Sequence, residues 1–161
     1  MSAVLSSPSV ARVRAALAAA GVRSEIVELP GAARTARAAA EFLGCEVGQI
    51  ANSLVFRAEK TGRALLVMSS GARRVDTARL ARLAGEPVGK AGAQFVRERT
   101  GFAIGGVPPV GHAVPMAAYV EKGLARQPQI WAAAGHPHTV FCLSYPELVR
   151  ITRGEEADLA E

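Results

Sequence analysis

The sequence predicts an α+β fold built on a mixed, largely antiparallel sheet with helices around it, and three observations carry that expectation. Strand-like runs lie close together along the chain, which favours hairpins over long crossovers. Helical and strand patterns follow one another irregularly, without the strand–helix alternation of a doubly wound sheet. The chain has 161 residues, half of them hydrophobic and only 20% charged, enough apolar surface for one core without a disulfide or metal.

Ser7-Pro8-Ser9 opens the first helix with a hydroxyl cap and a proline in the first turn. Val10, Val13 and Leu17 recur at helical spacing until Gly21. Residues 25–29 alternate as a strand, and Pro30-Gly31 turns the chain. A second helix starts near Thr35 and runs to Gly44. Residues 50–56 and 63–69 are β-type runs joined by Glu59-Lys60-Thr61-Gly62, a hairpin. Asp76 caps a third helix that Gly85 ends. A short strand over 87–90 and a helix over 93–99 follow. Phe102 to Ile104 is expected to be a buried strand entering a glycine-proline loop. Strands are expected at 117–120, 130–133 and 139–143, then a short helix with Pro146 in its first turn. Trp131 and Phe141 read as core residues. Residues 1–154 form one domain on this reading, and the acidic end, 155–161, is expected to fray.

Composition excludes several classes. Mean hydropathy of +0.19 is too high for a disordered chain. Arg12 and Arg14 interrupt the only candidate leader, so no signal peptide is expected. The uncharged run 100–120 contains three prolines and four glycines and would break as a spanning helix. Cys45 and Cys142 lie far apart and fit no redox or ligand spacing, so the thiols are expected to be reduced and the protein cytoplasmic, with no membrane partner. His136 and His138 could share a strand face, but no third ligand can be named, so neither a metal nor a cofactor is expected. Phosphate-loop, dinucleotide and nucleophile-elbow motifs are absent from the sequence.

The charge is uneven. Residues 57–99 carry ten basic and four acidic side chains, whereas residues 1–56 are near balance and residues 100–161 are net acidic. Such a patch suits a phosphate-bearing partner, and equally an ordinary arginine-rich surface.

Chemistry concentrates in Gly105-Gly106-Val107-Pro108-Pro109-Val110-Gly111-His112. Glycines let backbone N–H groups converge and a ligand approach closely, and prolines hold such a loop ready. That arrangement could bind the oxyanion formed when water attacks an ester. A tight turn between strands explains the same residues equally well.

These eight residues resemble the G-x-x-x-P loop of the YbaK/prolyl-tRNA-synthetase-associated editing domains, with Gly105 and Pro109 as its ends. Residues 49–56 are similar to the family's first core strand, 71–76 to its turn into a helix, 100–106 to its approach to the loop, and 135–141 to its penultimate strand. The resemblance covers roughly residues 8–154 and implies a barrel-like α+β editing domain. Its implied activity is hydrolysis of a mischarged aminoacyl-tRNA in trans, with alanine or cysteine on proline tRNA as the expected substrates. The implied partners are the aminoacylated tRNA acceptor end and, as a candidate, prolyl-tRNA synthetase.

The resemblance assigns catalytic work to Asn52, Gly105, Gly106 and His136. Substrate contacts fall to Ser53, Val107, Pro108, Pro109, Gly111 and His112. Arg73, Arg74, Arg79 and Arg82 are expected to meet tRNA phosphates. One departure stands out: Asn52 occupies the place of a lysine in the family pattern. An amide there could still orient water or the substrate amine. Its alternative consequence is a protein that binds an aminoacyl end, an amino acid or a nucleotide without turnover.

Overall fold

The computed structural model describes residues 2–161. Five α-helices pack on an eight-stranded mixed sheet. The helices are α1 (Pro8–Ala19), α2 (Ala36–Leu43), α3 (Thr77–Ala84), α4 (Ala93–Thr100) and α5 (Tyr145–Thr152). The strands are β1 (Val27–Glu28), β2 (Ile50–Ala58), β3 (Ala64–Ser70), β4 (Val88–Lys90), β5 (Ala117–Glu121), β6 (Ile130–Ala133), β7 (Thr139–Leu143) and β8 (Glu155–Ala157). Short 3-10 turns cover Val47–Gln49 and Lys122–Arg126.

Local chemistry explains the helix ends. The side chains of Ser7, Thr35, Asp76 and Ser144 each accept a backbone N–H from the first turn of the helix they precede. Gly44, Gly85 and Gly101 close α2, α3 and α4 in the left-handed conformation.

The strands run in the order β1-β7-β6-β2-β3-β5-β8, with β4 paired to β2 off this path. The β2–β3 hairpin is antiparallel over seven residue pairs, from Ala51↔Ser70 to Arg57↔Ala64. β3 is central and all seven of its residues are buried. Its Leu66 and Met68 enter a core with Val13 and Leu17 of α1, Phe102, Phe141 and Leu148. Its Leu65 and Val67 enter a second core with Leu80 of α3, Tyr119 and Leu159. The sheet is therefore covered on both faces, as its pleat requires.

Three departures from the sequence reading have physical causes. β1 is only two residues long, because the Ser24 hydroxyl accepts the Cys142 N–H that a longer ladder would use. Residues 102–104 are not a strand; Phe102 is buried while the Thr100 hydroxyl accepts its N–H and donates to Val96. The sheet is mixed as expected, with four pairings antiparallel and β2–β6, β3–β5 and β5–β8 parallel, along a path that ends on β1 and β8. The acidic end does not fray. β8 pairs with β5, Leu159 is 1% exposed, and its N–H donates to the buried Glu121 carboxylate. Among the described residues no helix is long and apolar enough to cross a membrane.

Candidate active site

One edge of β2 is covered by β3 along nearly its whole length. The other edge is shared: β6 pairs with Ile50 and Ala51, and β4 pairs with Phe56, Arg57 and Ala58. Residues 52–55 between them have no ladder partner on that side. Asn52, Ser53 and Leu54 therefore front a gap in the sheet, and the front of the glycine-proline loop closes over it.

Two neighbouring lobes lie at this gap. The first, about 220 Å³, is bounded by Asn52, Thr35 and Arg34 beside α2, and by Trp131, Pro137 and Thr139. The second, about 300 Å³, is bounded by Leu54, Val55, Phe56, Val96 and Lys90. Ser53, Leu54, Ile104, Gly105 and Val107 line both, so they form the junction.

The loop divides into two parts. Gly106 is buried and its N–H donates to Ala103 O at 3.0 Å, so that donor is committed to the loop itself. Among the described residues the N–H groups of Gly105 and Val107 donate to no protein acceptor. Gly105, at φ +92°, holds the conformation that a side chain would strain. Pro108, Pro109, Gly111 and His112 do not line either lobe. Pro108 and Pro109 are buried, and Gly111 (φ +83°) lies against Ala16 of α1. The His112 Nε2–H donates to Pro108 O at 2.6 Å, which fixes the tautomer because the carbonyl can only accept. Burial pushes the His112 pKa down, against the smaller opposing effect of that hydrogen bond. This half of the loop is a brace.

Of the residues predicted from the sequence, the structure brings Asn52, Ser53, Gly105 and Val107 together at the cavity. Asn52 is half-buried, and the Ser53 hydroxyl already donates to the Met68 sulfur at 3.4 Å. His136 stands behind the loop rather than among the lining side chains. Its Nδ1 accepts the His138 N–H at 3.0 Å, and the two rings meet edge-on at 5.1 Å. The arginines expected to bind tRNA lie elsewhere. Arg73 and Arg79 line a separate polar cleft with Glu121, Lys122 and Arg126, which shares no residue with the two lobes. Arg79 is also committed to Asp76, Asp158 and Ala160 O. Arg74 and Arg82 are exposed.

Sequence reasoning missed Trp131, Leu54, Ile104, Thr35 and Lys90 as lining residues. Trp131, expected in the core, is half-buried and packs under α2 while also facing the cavity; Phe141 is fully buried. Leu54 and Ile104, 37% and 57% exposed, carry no signal that separates them from core leucines and isoleucines.

A gap in a sheet edge, closed by a loop with unpaired N–H groups, is a site for a carbonyl-bearing ligand, and comparison with known proteins says which. The sequence matches the aminoacyl-tRNA editing domain over residues 31–151, most of the chain, and the protein belongs to that family. It is an aminoacyl-tRNA deacylase, an ester hydrolase. Among solved structures, one provisionally described as a trans-editing enzyme for prolyl tRNA synthetase is 48% identical, with a TM-score of 0.90 over 96% of this chain and 98% of that one. Protein APE2540, described as hypothetical, is 29% identical at TM-score 0.86, over 93% of this chain and 99% of its own. YwhH of Bacillus subtilis (strain 168), described as uncharacterized, is 29% identical over 125 residues, 78% of this chain and 79% of that protein.

Proposed function

We propose that this protein edits in trans, removing a small amino acid such as alanine or cysteine from mischarged proline tRNA. Water attacks the ester carbonyl, the bond from that carbon to the ribose oxygen breaks, and the proton from water ends on the departing hydroxyl. The products are free amino acid and intact tRNA.

One observation carries the reading: Gly105 and Val107, whose N–H groups have no protein acceptor among the described residues, line the same cavity as Asn52 at the gap in the β2 edge. Two uncommitted donors beside one cavity suit an oxyanion, and preformed donors need no reorganisation during the reaction. The Asn52 amide can accept from the substrate amine or hold the attacking water. An aminoacyl ester is already activated, so positioning and exclusion of bulk water suffice without a covalent nucleophile. His136 acts as a positioning residue through the turn that backs Gly106. Arg73, Arg74 and Arg82 are candidates for the tRNA body rather than the acceptor end. The description of the 48% identical structure supports the link to prolyl-tRNA synthetase.

A panel of proline tRNAs charged with alanine, cysteine or proline tests this. Release of alanine or cysteine above buffer, with proline spared, is expected. No release from any member favours a binding protein instead.

A further inference from the structure

The two lobes differ in chemistry, and the difference orients the substrate. The lobe under α2 offers the Asn52 amide, beside the hydroxyls of Thr35, which caps α2, and Thr139, which donates to His136 O. The other is walled by Leu54, Val55, Phe56 and Val96, and Lys90 is the one charged side chain bounding it. Its only hydroxyl, Ser53, lies at the junction and points its proton at Met68. An α-amino group placed among those apolar walls would lose its hydrogen bonds to water without replacement. A purine has two apolar faces and loses little there. Lys90 ends β4, opposite Phe56, is exposed, and makes no ion pair among the described residues.

We infer that the apolar lobe seats the terminal adenine of the tRNA and that Lys90 contacts the phosphate 5′ to that nucleotide, while the aminoacyl group enters the lobe of Asn52. The ester then lies at the junction, beside Gly105 and Val107. This rests on the deacylase reading, since it needs the ester between the lobes. A cation held on the adjoining strand gives the acceptor end a fixed register, so the carbonyl reaches the two N–H groups. Arg34 borders the other lobe and would take the phosphate if the substrate lay the opposite way round.

The test uses 3′-alanylamino-3′-deoxyadenosine, whose amide is not an ester, with and without a 5′-phosphate. Calorimetry on the full chain should show the phosphate tightening binding about tenfold in the wild type, the scale of one charge-assisted contact. Lys90→Ala should lose that increment, Lys90→Arg should keep most of it, and Arg23→Ala, an exposed charge control, should be unaffected. Nuclear Overhauser contacts from adenine H2 and H8 should reach the methyl groups of Val55 and Val96, which line only the apolar lobe. Loss of the increment in Arg34→Ala rather than Lys90→Ala overturns the orientation, as do adenine contacts to Ala39 or Trp131. No phosphate effect in the wild type also overturns it. Normal binding without hydrolysis of any charged tRNA would instead sink the catalytic reading and leave this one standing.

Discussion

A Cβ placed on Gly106 would stand 3.0 Å from both the Cα and the backbone nitrogen of His136. The glycine-proline loop and the turn before β7 thus touch main chain to main chain, and neither can yield by a rotamer change. Gly106→Ala should cost about 1–3 kcal/mol, the usual penalty for overpacking. It should also shift the Gly105 and Val107 donors and lower kcat/KM on mischarged tRNA by more than tenfold. Thermal unfolding and single-turnover deacylation read the two effects. Unchanged activity in a folded Gly106→Val protein would remove the loop from the mechanism.

Asn52→Ala separates stability from chemistry. The side chain is half-buried at the cavity, and among the described residues it caps no helix and bridges no elements. Its loss should change stability by less than about 0.5 kcal/mol. Deacylation should fall by tenfold or more. Asn52→Lys asks whether a cation there limits the rate, and a gain in kcat would say that it does.

His112 predicts a pH dependence of stability. Burial holds its folded pKa below the ordinary 6.5, so the unfolded chain binds the proton more readily. The sign follows: stability is full above pH 6.5 and falls as the pH drops through 6.5 toward the folded value. Urea midpoints between pH 7.5 and 5 should decline less in His112→Gln than in the wild type. Parallel declines would show that the histidine is not the titrating brace.

The C-terminal segment is expected to be essential. Leu159→Ala empties a site that is 1% exposed and should cost about 2–5 kcal/mol. Truncation after Gly154 removes β8 and also strips the Leu159 N–H from the buried Glu121 carboxylate, leaving only the Gly123 N–H. The truncated chain should unfold at markedly lower temperature; an unchanged midpoint would refute the role of this tail.

Arg79 should behave differently from its neighbours. It reaches Asp76, Asp158 and Ala160 O, so Arg79→Ala should lower stability, although by no more than about 1 kcal/mol for so exposed a set of pairs. Arg73→Ala, Arg74→Ala and Arg82→Ala should leave the unfolding midpoint in place. Filter binding of tRNA by the four variants shows which of them contact RNA.

What could be read in advance was local. Ser7, Thr35 and Asp76 accept N–H groups within three residues of themselves, and Gly44 and Gly85 close the helices they follow. The β2–β3 hairpin is joined by a short turn and was equally plain. The parallel pairings of β2 with β6 and of β3 with β5 join residues far apart in sequence, and no periodicity encodes the partner. The same limit hid the cavity. Asn52, Gly105 and Val107 announced themselves by type and motif, but Lys90 and Trp131 enter only because β4 and β6 flank the same strand edge. Acidic composition suggested a loose tail, yet Ala157 and Leu159 are spaced to bury while Glu155 and Glu156 stay outside.

The interrupted edge of β2 also bears on self-association. An exposed strand edge invites another chain to add a strand, and natural sheets guard against it. Here the open stretch is residues 52–55, about 13 Å at ordinary strand rise. That is shorter than a typical strand of five or six residues. Its two ends are stopped by β4 and β6, and Ile104 and Gly105 stand across it. A slender single-stranded terminus can enter such a slot; a second polypeptide cannot lie along it. An opening of this length can serve a substrate and still stay closed to aggregation.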